Sequence, residues 1–207
     1  MYRAGAHWGI SAMVARARRF GRDRSGVAAI EFAFIVPVLL IMYFITMEAS
    51  QAIETSKKVS RIGSMVADLV TQQQQVAKAD LDAMMKIGST TLLPYNRSLP
   101  TIIITGIQMS DEAAPTVKVL WSRKLVGKSY SVDAKSGDTT TVPATLRIRN
   151  TFLIRVESDL GYTPVIAWDG NAQQKSAGLL STFSHINMSE TYYLRPRRIA
   201  TILCKDC

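Results

Sequence analysis

The chain has 207 residues, 47% of them apolar, and a formal net charge of +9, which allows one folded domain plus an anchor. The charge is concentrated: residues 1–26 hold Arg3, Arg16, Arg18, Arg19, Arg22 and Arg24 against one acid, Asp23. A nucleic-acid protein would spread Lys and Arg over a folded face with aromatics between them, so this distribution argues against a nucleic-acid partner.

Residues 1–26 therefore read as a basic cytoplasmic leader. Val27 to Met47, VAAIEFAFIVPVLLIMYFITM, carries a single charge, Glu31. As a helix it would span about 31 Å, matching a hydrocarbon core of about 30 Å. The arginine-rich flank precedes it, so the positive-inside rule predicts a single pass with residues 1–26 in the cytoplasm and 48–207 outside. The expected location is a bacterial inner membrane with the C-terminus in the periplasm. A secretory signal with a small-residue site at Ser50-Gln51-Ala52 is the alternative, although the leader and the apolar run exceed the usual lengths. Glu31 either snorkels to the headgroups or is paired in an assembly, because an ionised carboxylate in lipid is costly. Pro37 removes one backbone hydrogen bond and is expected to kink the helix.

The junction Arg22-Asp-Arg-Ser-Gly26-Val-Ala-Ala-Ile-Glu31-Phe32 combines a basic leader, a terminal glycine, four apolar residues and a glutamate within the apolar helix. It resembles a type IV prepilin junction, and more specifically the TadE-like minor pilins, or pseudopilins, of the tight-adherence (Tad/Flp) pilus system. Gly26-Val-Ala-Ala-Ile-Glu31-Phe-Ala-Phe-Ile-Val-Pro37-Val-Leu-Leu carries most of the likeness, with a weaker one at Tyr192-Tyr193-Leu194-Arg195-Pro196-Arg197. The resemblance implies cleavage after Gly26 by a membrane prepilin peptidase, leaving Val27 as a new N-terminus. Glu31 would then be the fifth mature residue, placed to neutralise the Val27 ammonium of a neighbouring subunit. The implied partners are that peptidase, other Tad pilins and pseudopilins, the inner-membrane assembly platform and the membrane itself; the implied role is in pilus biogenesis and adhesion. Glu31-Phe32 departs from the Glu-Tyr pair of the major Flp pilins, and those are very short, which points away from a major-pilin role.

After the span, Ala52, Thr55, Val59, Ile62, Val66, Leu69, Gln73 and Val76 form a heptad-like stripe, predicting a helical stalk over residues 48–76. The stripe packs either on the chain's own domain or against neighbouring helices. Gln72 to Gln75 form a polar joint, and Ala77 to Ser89 reads as a second amphipathic helix with Leu81, Met84, Met85 and Ile87 apolar, closed by Gly88 and Pro94. Strands are predicted at Thr101–Met109, Thr116–Leu125 and Thr151–Ser158, with another near Thr191–Leu194 inside an ambiguous stretch from Leu179 to Arg195. Asp111 to Pro115 reads as a turn, and Gly127 to Thr141 and Asp169 to Lys175 as loops. The predicted architecture is α+β: a transmembrane helix running into a stalk, then a head over residues 77–207 with an antiparallel sheet.

Chemistry-bearing patterns are sparse, and no catalytic residue, cofactor or metal site is nominated. His7 lies in the leader and His185 stands alone, whereas a triad or metal site needs partners. There is no GxGxxG and no Walker pattern. Cys204 and Cys207 form a Cys-Lys-Asp-Cys motif. Outside the cytoplasm a disulfide between them is favoured; a periplasmic thiol–disulfide function is the rival reading, and an uncleaved, anchored binding module is a third. Arg195, Arg197 and Arg198 are either solvated strand-edge charges or a contact for an acidic partner.

Overall fold

The computed structural model describes residues 7–21, 26–164 and 186–207. The expected loop Asp169–Lys175, His185 and the start of the ambiguous Leu179–Arg195 stretch lie outside them. The chain divides into two compact units, Met1–Met47 and Glu48–Cys207.

In the first unit, α1 (His7–Phe20) forms within the leader, where Ala, Met and Arg are strong helix formers. Arg18 and Arg19 occupy its last turn, where the helix dipole favours cations. α2 runs Val27–Thr71 and contains Pro37. Up to Met47 its surface is apolar and open, with Phe34 74% and Ile41 59% exposed. A helix fully wrapped in exposed apolar side chains is stable only where lipid replaces water. By length and composition it can cross a membrane.

The second unit is built on a five-stranded sheet. After α2 come β1 (Gln75–Val76), α3 (Lys78–Thr90), β2 (Thr101–Met109), β3 (Val117–Val126), β4 (Ser129–Ser131), β5 (Phe152–Tyr162), β6 (Ile186–Leu194) and β7 (Leu203–Cys204). The sheet order is β4-β3-β2-β5-β6, all pairs antiparallel, while β1 and β7 form a separate parallel pair. The fold is α+β, as the patterning predicts.

The core shows why the helix beyond Glu48 folds with the sheet. Thr55, Val59, Ile62, Gly63, Val66, Ala67, Val70 and Thr71 of α2 are buried, and Val59, Ile62, Val66, Ala67 and Val70 share one cluster with Leu81 and Met85 of α3 and Ile102, Ile104, Ile154 and Val156 of the sheet. The stripe thus packs on the chain's own domain, and residues 48–71 belong to the same compact unit as the rest of the head. Its expected register holds through Val66 and then slips: Val70 is buried, whereas Leu69 is only partly so. A straight helix drifts about 20° per heptad against a strict seven-residue repeat, which moves the buried face by one residue. Gln73 falls outside the helix and Val76 is buried as part of β1. Two glycines set the closest approaches. A Cβ on Gly63 would lie 2.7 Å from the Tyr192 ring, and one on Gly88 would lie 2.7 Å from Val66, so α2 seats directly on β6 and α3 on α2.

Ile107, Met109, Val117, Val142 and Leu153 form a second, smaller cluster, which strand alternation puts on the other face of β2 from Ile102 and Ile104. Part of the expected loop Gly127–Thr141 is strand: Gly127, at φ +62°, turns β3 into β4. Of the apolar residues of α3, Leu81 and Met85 are buried and Ile87 is 52% exposed.

Candidate functional site

Gly26 stands immediately before α2, and its carbonyl accepts the hydrogen bond from Ile30 N at 3.1 Å. The Gly26–Val27 peptide is therefore the first link of the helix, at the point where orphan N–H groups leave the backbone least shielded. Among the described residues other than its chain neighbours, nothing lies within 4 Å of where a Gly26 Cβ would be. Val27 and Glu31 are exposed. They are four residues apart on one helix and share a face. Glu31 makes no ion pair among the described residues. Pro37 lies within the continuous α2.

Cys204 and Cys207 are joined in a disulfide with Cα atoms 5.6 Å apart. The loop they close is held at both sides: Lys205 N donates to the Val76 carbonyl at 3.0 Å, and the Asp206 carboxylate accepts from Lys78 N at 2.8 Å. Asp206 thereby sits at the α3 N-terminus, where a carboxylate meets free N–H groups and a favourable dipole. Asp206 also lies within ligand spacing of both sulfurs, but the sulfurs are bonded to each other, and a carboxylate alone makes no closed metal site. Cys204 lies in β7 rather than in the first turn of a helix, where the cysteines of thioredoxin-like redox motifs sit. The short loop limits the stabilisation to roughly 2 kcal/mol. Replacing both cysteines with Ser is expected to leave the head folded, with a small loss in thermal stability by circular dichroism. Non-reducing mass spectrometry of the exported wild type should find no free thiol; two free thiols would contradict the assignment.

The three arginines separate in role. Arg197 pairs with Asp68 of α2, and its N–H donates to the Thr71 carbonyl at 3.0 Å, satisfying an orphan carbonyl at the helix end. Arg195 and Arg198 are exposed. Tyr192 of the same stretch hydrogen-bonds Ser60 of α2 and packs at Gly63.

One group escapes sequence reasoning. Tyr95 and Tyr162 stack with centroids 5.5 Å apart, Arg97 lies over the Tyr95 ring at 4.9 Å, and the Tyr162 hydroxyl donates to Glu48. Burial, reinforced by the Glu48 carboxylate, pushes the Tyr162 phenol well above the usual tyrosine range. Tyr162 and Glu48 lie 114 residues apart in sequence, so no local pattern announces them.

Comparison with known families bears on the Gly26 end. Residues 26–61 match the family described as TadE-like protein. This segment is TadE-like. It begins at the glycine before α2, takes in the whole apolar span, and reaches the first buried turns of the head. The match covers 36 of the 207 residues, and the apolar helix within it fits a single-pass anchor. No curated protein and no solved structure matches the chain.

Proposed function

We propose that the protein is a minor pilin-like structural and assembly subunit of a Tad (Flp) pilus, inserted with its N-terminus in the cytoplasm and trimmed after Gly26 by a prepilin peptidase. The observation that carries this is the Gly26–Val27 link at the head of a Glu31-bearing apolar helix, inside the TadE-like segment. Cleavage creates an ammonium at Val27 near the bilayer. Glu31 of a neighbouring subunit offers it a partner, and each charge would be costly in lipid without the other. The loss of one backbone donor at Pro37 lets the helix adjust as subunits pack. Other pilins, pseudopilins and the inner-membrane assembly platform are the partners, and pilus biogenesis and adhesion the outcome.

The test is the N-terminal sequence and intact mass of the protein from its native host, together with a reporter active only outside the cytoplasm fused after Cys207. Expected are a chain starting at Val27 and an active reporter. An intact leader would favour an uncleaved anchored module instead. A fusion active only in the cytoplasm would overturn the topology, and with it the oxidising setting assumed for Cys204 and Cys207.

A further inference from the structure

The stacked tyrosines and Arg97 serve no part of the cleavage and assembly chemistry above. Tyr95 and Arg97 belong to the loop over residues 91–100, between α3 and β2, which folds against the first turns of the helix beyond Met47, and Tyr162 ends β5. Arg97 Nη2 donates to the Gln51 side chain at 3.3 Å, and Lys58 Nζ donates to the Leu93 carbonyl at 3.1 Å. Between loop and helix lies an open cavity of about 330 Å³, lined in part by Gln51, Lys58, Pro94 and Arg97. Arg97 is exposed and has no ion-pair partner among the described residues. Its guanidinium is instead held in place by the ring faces, which fixes its plane while leaving N–H donors open for a phosphate.

The neighbours of Arg97 are unusual for a surface in water. Leu93 is 63% exposed and Leu99 is 56% exposed, and Leu99 packs beside Gly127, next to the half-exposed Val126. Large exposed aliphatics two and four residues from a basic residue in one loop mark a surface that meets something other than water. Chain connectivity indicates what that is. Glu48 follows Met47 directly, and Gln51 is four residues beyond the span, about 6 Å along a helix. Tyr95 and Tyr162 are buried and hold Arg97 from beneath, and an arginine with exposed leucines beside it suits the headgroup level, where long basic chains bridge apolar and wet layers.

We propose that this end of the head rests on the bilayer face from which the helix emerges, with Arg97 binding a lipid phosphate and Leu93 and Leu99 entering the headgroup layer. The inference rests on the membrane-anchor reading, and the test separates the two. Because the native cysteines are bonded to each other, a single introduced thiol can be labelled. Full-chain protein carrying Leu99→Cys, or Leu93→Cys as a second position, is labelled with bimane and reconstituted into phosphatidylglycerol vesicles containing headgroup spin-labelled lipid. Ala113→Cys, in the turn joining the other ends of β2 and β3, is the reference. Bimane at position 99 or 93 should be quenched several-fold more than at 113, and Arg97→Gln should bring it down toward the reference while the protein still floats with the vesicles. Equal quenching at all positions in floating protein overturns the proposal and leaves the anchor standing. Protein that does not float overturns both. Quenching indifferent to Arg97→Gln removes the phosphate contact, and shielding that appears only at high protein density assigns the surface to a second copy instead.

Discussion

Chains carrying Gly26→Leu are expected to keep every residue ahead of Val27 and to form no pili, whereas Glu31→Leu chains are expected to lose those residues and still form no pili. The two effects differ because the residues act at different stages. Space around Gly26 is open, with nothing within 4 Å of an added Cβ, so a leucine there disturbs no packing among the described residues. A retained leader would then report on the peptidase, which must fit the residue at the scissile bond, and not on misfolding. Glu31 lies a helical turn beyond the bond, so cleavage should proceed. Removing its charge makes the span more compatible with lipid, and insertion should persist or improve. What fails is assembly, because the new ammonium at Val27 loses its counter-charge where dielectric screening is weak. Leader removal is read by mass and pilus formation by surface shearing, for each variant in the native host. A mature chain starting at Val27 in the Gly26→Leu strain would sink the prepilin reading. Normal pili from Glu31→Leu would sink charge pairing and leave the cleavage untouched.

Ile62→Ala should destabilise the head by about 2–5 kcal/mol, the usual range for emptying a buried aliphatic site. Ile53→Ala, nine residues earlier on the same helix, should stay within about 0.5 kcal/mol of wild type, as surface substitutions do. Ile62 is fully buried in the main core cluster, and Ile53 is 58% exposed. The comparison holds helix, side-chain chemistry and substitution constant, and varies only burial. Thermal or denaturant unfolding of the full chain in detergent, followed by near-ultraviolet circular dichroism, reads the difference. Equal effects at both positions would mean that the helix does not share the head's core.

Legibility in the sequence followed how local each signal is. β2 appears with its predicted bounds, Thr101–Met109, because a β-branched run between Pro100 and Ser110 needs no tertiary help to be read. β5 extends past Ser158 to Tyr162. Asp159 and Gly161 look like breakers, yet Leu160 and Tyr162 keep the inward alternation and hold the strand in the sheet. β6 runs Ile186–Leu194 rather than only near Thr191, since an edge strand with Asn187, Ser189 and Thr191 facing out carries only a weak apolar pattern. α3 is displaced by one residue at each end, Lys78–Thr90 against Ala77–Ser89, the ordinary uncertainty of helix termini. The α1 helix in the leader was masked by its arginines, which read as charge before they read as helix formers. At the candidate site, Gly26 and Glu31 are legible because leader, glycine and glutamate lie within one short stretch. The Arg97 cluster is not, because its parts come from three distant segments that only the fold brings together.

The segment after β6 has a consequence for the order of events in the cell. Its residues are wired to positions made far earlier: Arg197 to Thr71, the Ile202 carbonyl to the Trp121 indole at 2.8 Å, Lys205 to Val76, and Asp206 to Lys78 across 128 residues of sequence. Such long-range closures are slow, since the loop entropy must be overcome before the contacts form. The apolar part of α2, Val27 to Met47, by contrast, takes no part in the head's core and needs only its own local bonds. During synthesis the apolar helix is therefore complete while the head still lacks its closing residues, so on the topology proposed above the chain crosses the bilayer as an extended polymer and closes afterwards.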